Sequence, residues 1–248
     1  MCTVLLRVSP DAPWPVLLGA IRDEFADRAW DPPAAHWDDR WPGLLGGRDR
    51  TAGGTWLAVD PDPDRPAVAA LLNGARRPAP AEGTRPTRGT LALEVLTSGH
   101  VPSGDEVRGY DGFHLLLATL DGTQVWSWDG EELCHRDLDH GDHIVVNLGV
   151  DAADDPLIPH FAPLLAELPD PLLDGDPTTV AWEPWTDLLG GDGLDGDDPR
   201  ALLVRRDVDG RTYESTSASL VALGPGRVRY DFCPIPTDPT AWWVVTDR

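Results

Sequence analysis

Short apolar runs, each cut off by Pro, Gly or Asp, recur along almost the whole chain and limit it to a strand-rich antiparallel fold. Strands are expected over Thr3–Val8 and Val16–Ala20, joined by the turn Ser9-Pro10-Asp11-Ala12-Pro13. Thr55–Val59 and Ala67–Asn73 pair around Asp60-Pro61-Asp62-Pro63-Asp64. Phe113–Leu120 and Thr123–Trp128 flank Asp121-Gly122, a strong hairpin signal, and Glu131–Arg136 and His143–Asn147 continue that sheet. Ala201–Arg205, Thr216–Leu223, Val228–Phe232 and Trp242–Val245 close the chain as strands. Helical spacing of apolar residues appears over Pro156–Leu168 and Thr179–Leu189, and Thr90–Ser98 is a short apolar helix. Ala29–Arg50, rich in Trp, Pro and Asp, has no clean period and reads as an ordered loop. Arg76–Arg88, Gly104–Gly109 and the acidic stretch Gly190–Pro199 read as surface connections. Many antiparallel strands with few helices make an α+β chain, and 248 residues without an internal repeat fit one layered domain, 1–248.

Charge narrows the partners. With 42 acidic residues against 20 basic ones the net charge is −22, and every basic residue is Arg. Such a surface argues against nucleic acid, which needs basic patches, and against anionic membrane. No apolar run approaches the length of a membrane span, and Val4-Leu5-Leu6 is interrupted by Arg7, so a cytoplasmic location without membrane insertion is expected. Cys2, Cys134 and Cys233 are an odd, widely spaced set that indicates neither a disulfide framework nor a zinc site. Cys134, His135, Asp137, His140, Asp142 and His143 fall within one hairpin and read as a solvated turn. Asp192, Asp195, Asp197 and Asp198 lack the closing Glu of a calcium loop, so no metal site is expected.

Candidate chemistry starts at Cys2. Its small side chain would permit removal of Met1, leaving a thiol and a free α-amine on one residue, a nucleophile beside its own base. A hairpin from Thr3 brings Arg22 and Asp23 back beside Cys2. A lone early Cys is otherwise a small buried hydrophobe. The chain has only two Asn, Asn73 and Asn147, each ending an apolar run in a sequence that uses Asp for most polar turns. Two neutral amides aimed at one point would form an oxyanion hole; the alternative for each is a turn residue in the left-handed conformation.

Met1-Cys2-Thr3, Arg22-Asp23-Glu24-Phe25, Ala52-Gly53-Gly54-Thr55-Trp56-Leu57, Thr87-Arg88-Gly89 and Tyr110-Asp111-Gly112-Phe113-His114-Leu115-Leu116 follow in order. Together with both Asn they resemble the transport and Golgi organisation family, also named for its Asn-Arg-Asp-Glu motif. That family is similar to the N-terminal-nucleophile hydrolases of the bile-salt hydrolase and penicillin V acylase branch. The resemblance implies an αββα sandwich, two stacked antiparallel sheets between helical layers. It implies a cysteine amidohydrolase of a small non-peptide amide, with Cys2 as nucleophile, Asp23 holding the α-amine, and Asn73 and Asn147 stabilising the oxyanion. Arg22, Trp56 and His114 fall on the substrate side. No cofactor is needed for that chemistry. The alternative it carries is a carrier of haem or a lipid-like ligand, with His36, His114 or Cys2 as axial ligand and the Trp-rich loop as the apolar wall. Ile21 replaces the Asn of the motif, His114 stands at a usual Asn, and Glu214 stands where the hydrolase branch has a late Arg.

Overall fold

A computed structural model describes residues 2–74, 86–173 and 177–248. Most of the expected connection from Arg76 to Arg88 lies outside those residues. In chain order the strands are β1 (Cys2–Val8), β2 (Val16–Phe25), β3 (Trp30–Ala34), β4 (Leu45–Asp49), β5 (Leu57–Asp60) and β6 (Ala67–Asn73). After helix α1 (Leu91–Ser98) come β7 (Phe113–Thr119), β8 (Thr123–Trp128), β9 (Leu133–Asp137), β10 (Gly141–Val146) and β11 (Gly149–Val150). Helices α2 (Leu157–Glu167), α3 (Thr178–Ala181) and α4 (Glu183–Leu189) precede β12 (Arg205–Val208), β13 (Arg211–Gly224), β14 (Arg227–Cys233) and β15 (Trp243–Asp247).

The strands form two antiparallel sheets. The first runs β11-β10-β1-β2-β13-β14-β15, with β12 added to β13, and the second runs β3-β4-β5-β6-β7-β8-β9. Strand alternation sorts the apolar residues into three cores. Val4, Leu6 and Val8 of β1 meet Leu57, Val68 and Leu116 between the sheets. Leu5, Leu17 and Ile21 turn the other way, onto Phe161, Trp182 and Trp185 of the helical segments. Ala58, Ala69 and Leu115 on the outer face of the second sheet pack against Leu91, Val95 and the loop residues Trp37 and Trp41. Helices, sheet, sheet and helix are thus stacked as an αββα sandwich. Because β1 and β2 are buried on both faces, they read as nearly continuous apolar runs.

One charge on the helical face of β1 is explained by what it caps. Arg7 donates to Leu165 O at 2.7 Å and Leu168 O at 2.6 Å, carbonyls in the last turn of α2 and just past it, and pairs with Asp142 at 2.7 Å.

Several expected elements differ. Ala29–Arg50 contains β3 and β4, the edge of the second sheet; Pro32 and Pro33 are accommodated there because β3 is outermost and its register is irregular. β9 and β10 do not continue one sheet: β9 pairs with β8, whereas β10 crosses over to β1. Thr179–Leu189 is broken at Trp182, whose backbone leaves the helical region at φ −109° just before Pro184 opens α4. Ala201–Arg205 is no strand up to Val204; β12 begins at Arg205, where β13 has extended far enough to pair with it.

Candidate active site

The turn between β1 and β2 sets Cys2 directly opposite Arg22, and β13 sets Ser217 opposite Arg22. On the other side, the register Val4↔Val145 carried two residues along brings Asn147 level with Cys2. Asn147, Cys2, Arg22 and Ser217 therefore form one cross-strand row at the end of the first sheet. The parity of Cys2 with Val4 and Leu6 turns it toward the space between the sheets.

Each neighbour of Cys2 is held by its own partners. Asn147 Oδ1 accepts from the Cys2 nitrogen at 3.1 Å, and Asn147 Nδ2 donates to Asn73 O at 2.5 Å, so one amide ties the two sheets together. Arg22 is buried; its Nη1 donates to Thr216 Oγ1 at 2.8 Å, its guanidinium lies 4.4 Å over the Trp56 ring, and Nη2 is 3.8 Å from Asp49 Oδ2. Thr216 reaches Arg22 because β13 bulges between Ser215 and Ser217, freeing the intervening residue from the ladder. Asp23 is also buried, with Ser215 Oγ donating to its Oδ1 at 2.6 Å and Tyr213 OH donating to its carbonyl at 3.0 Å.

The charges in this row perturb one another. Burial pushes the Cys2 thiol above its ordinary value and the Asp23 charge adds to this, while the Asp23 backbone N–H and Arg22 oppose it. Asp23 itself is pushed up to about 6 by burial, against the pull of Ser215, Arg206 and Arg22. Burial lowers the Arg22 value, and the negative charges of Cys2 thiolate, Glu24 and Asp49 counteract it.

Other expected residues sit differently from their expected roles. Asn73 is exposed, and it enters the row through its main-chain oxygen. Its register partner is Phe113, in the outer core, so strand parity turns the Asn73 side chain away from the space between the sheets. His114 faces that space, with Nδ1 2.7 Å from Ser127 Oγ and Nε2 3.1 Å from Asn147 O. Burial lowers the His114 value, and with both nitrogens bonded it is a neutral brace for Asn147. Trp56 is the platform under Arg22. Glu214 pairs with Arg205 at 2.7 Å and stands opposite Glu24. His36 bonds Pro32 O at 2.7 Å.

Sequence reasoning overlooked Asp49, Ser215, Thr216 and Ser127. Asp49 binds Arg28 at 2.6 Å and accepts from the Thr51 and Ala52 N–H groups at 2.9 Å. Its place before Arg50-Thr51-Ala52-Gly53 is an Asx-turn signal that could have found it. No sequence signal marks the bulge that aims Thr216.

The separate blocks meet around this row. Gly54 lies against the Gly89 backbone so closely that a Cβ has no room, and Thr55 N donates to Gly89 O at 2.8 Å. Arg88 Nη1 and Gly74 N both donate to Gly112 O, at 2.5 and 2.9 Å.

The chain is similar in structure to a C2A mutant of conjugated bile acid hydrolase from Clostridium perfringens, at 14% identity and a TM-score of 0.46 over 93% of this chain and 88% of that one. It is also similar to penicillin V acylase from Agrobacterium tumefaciens, at 12% identity and 0.49 over 94% and 83%. No curated protein matches it significantly. The family Transport and Golgi organisation 2 matches residues 1–153, well over half of the chain, which include Cys2, Arg22, Asp23 and Asn147 but not β13 with Thr216 and Ser217. The chain is therefore a member of the Transport and Golgi organisation 2 family.

Proposed function

We propose that the protein is a cysteine amidohydrolase of the N-terminal-nucleophile kind, acting on a small non-peptide amide. The observation that carries this reading is the row itself: the Cys2 nitrogen is held by Asn147 Oδ1, and the sulfur faces Arg22 and the Asp23 N–H. The reading requires a free α-amine on Cys2, hence loss of Met1. That amine takes the proton of the Cys2 thiol as sulfur attacks the carbonyl carbon. It then delivers the proton to the departing nitrogen as the C–N bond breaks, leaving a thioester on Cys2. Water attacks the thioester with its proton passing to the same amine, and the thiol is regenerated.

Asp23 keeps the amine oriented, and its burial strengthens that interaction. The oxyanion falls to Arg22 and to the second amide hydrogen of Asn147, the first being given to Asn73 O. The haem-carrier alternative draws no support from His114, both of whose nitrogens are bonded.

Intact-mass spectrometry followed by labelling with an N-acyl chloroacetamide tests the reading. The mature protein is expected to lack Met1 and to be alkylated at Cys2 in preference to the exposed Cys134, with protection by an excess of the matching amide. Retention of Met1 removes the base and sinks the mechanism.

A further inference from the structure

Asn147 stands just past β10, in the turn of the hairpin that β10 makes with β11. That hairpin is fastened by His143, which was expected in a solvated turn and is instead buried. His143 shares its face of β10 with Val145, between the sheets, and stands opposite Leu6 of β1. Its Nδ1 lies 2.8 Å from Asp151 Oδ2, and its Nε2 lies 3.0 Å from Asp139 O. Asp139 belongs to the crossover by which the chain leaves β9 in the second sheet and enters β10 in the first. Asp151 closes the hairpin: its Oδ1 accepts from Ile144 N at 2.9 Å, and its own N–H donates to Ile144 O at 2.8 Å. One imidazole therefore joins the crossover to the hairpin that aims Asn147 at the Cys2 nitrogen and Asn73 O.

The two partners decide the state of the ring. A backbone carbonyl only accepts, and so does an ionised carboxylate. Burial works to raise the Asp151 value, but the bonds from His143 and the Ile144 N–H hold it lowered. Both ring nitrogens thus face acceptors, and only the imidazolium has a proton for each. The bond to Asp151 raises the His143 value against burial, and the Asp139 carbonyl adds to the rise. Arg136 opposes it, with Nη2 3.8 Å from Asp151 Oδ2. Asp151 and Arg136 are the charged groups that act on the ring, and Leu6 opposite is apolar. A neutral ring has one N–H for two acceptors, so it turns a lone pair on the other and releases either the crossover or the hairpin. His114, bracing the Asn147 carbonyl from the second sheet, shifts in the opposite sense.

We infer that His143 is a positioning residue for Asn147: as the imidazolium it pins the crossover to the β10–β11 hairpin and holds Asn147 in the row, and the neutral ring lets that hold go. Because the folded value is the raised one, the hold is complete below 6.5 and is lost as pH rises through the folded value. It does not depend on whether the row cleaves an amide.

The sequence suits a direct test, since its only side-chain amides are those of Asn73, Gln124 and Asn147. Heteronuclear NMR of the full chain from pH ~5 to ~9 follows the His143 ring and the Asn147 Nδ2 hydrogens together. The ring is expected to titrate above 6.5, and the Asn147 amide to shift with the same midpoint. Once the ring is neutral, that amide should exchange with water about tenfold faster than the ordinary base-catalysed rise, the size of one charge-assisted bond. Asp151→Asn keeps the acceptor for Ile144 N, suits the left-handed backbone at φ 52° and offers an N–H to a neutral ring. In that variant His143 should titrate at or below 6.5, and the matched response of Asn147 should vanish. His143→Gln should abolish the response as well, and Asp151→Asn carries the test alone if that protein does not fold. Asp23→Asn, which removes the other group titrating near the row, should keep the response. A wild-type His143 value at or below 6.5, an Asn147 amide that does not follow the ring, or a response that survives Asp151→Asn overturns the assignment.

Discussion

Asp23→Asn should stabilise the protein at neutral pH while removing the proposed anchor of the amine. The carboxylate is 4% exposed, and burial raises its value from 3.8 to about 6. Each pKa unit is worth about 1.4 kcal/mol, so ionising Asp23 in the fold costs roughly 3 kcal/mol more than in the unfolded chain. Since the folded value is the higher one, the stability this group contributes is complete below 3.8 and is lost as pH rises through about 6. Asn keeps the acceptor oxygen for Ser215 Oγ and carries no charge. The variant and the wild type should therefore melt alike near pH ~4 and draw apart as pH rises from ~4 to ~6, above which they differ by a constant of about 3 kcal/mol or ~6–12 °C for a chain of this size. Thermal melts of both proteins from acid to mildly alkaline pH are the assay. Parallel curves, or a variant less stable at alkaline pH, would refute the claim that Asp23 is held against its own desolvation.

His114→Phe removes the donor to Asn147 O and leaves that carbonyl unsatisfied, at roughly 1–3 kcal/mol in a denaturant melt. It should also remove one pH effect. With its folded value lowered, His114 contributes stability that is present above 6.5 and lost as pH falls, so the variant should be less acid-sensitive than the wild type. Arg229→Met leaves Asp231 fully buried without its 2.9 Å partner, retaining Thr178 and Trp182 as donors, and should cost roughly 3–5 kcal/mol. The double change Arg229→Met with Asp231→Leu should recover most of that loss, because it removes the unpaired charge as well.

The hairpin of β1 and β2 shows how far sequence reaches. Apolar runs around a Pro-Asp turn carry the strands and bring Arg22 back toward Cys2, since local periodicity and turn chemistry act between near neighbours. The ordered blocks from Met1 to Leu116 likewise carried the family and, through it, the αββα layering. The scarcity of Asn pointed to Asn73 and Asn147, and both enter the row, although Asn73 does so through a backbone oxygen. What each one bonds was decided elsewhere, by strands distant in sequence. β10 leaves its neighbour β9 for the other sheet and so brings Asn147 level with Cys2. A single extra residue in β13 aims Thr216 at Arg22, and Asp49, Trp56 and Ser127 arrive from the second sheet or its turns. Register between strands depends on the sum of many nonlocal contacts, and a slip of one residue reverses every side chain. A chain alone therefore names residues able to do chemistry at Cys2, and only the packed sheets decide which donor, charge or ring each one meets.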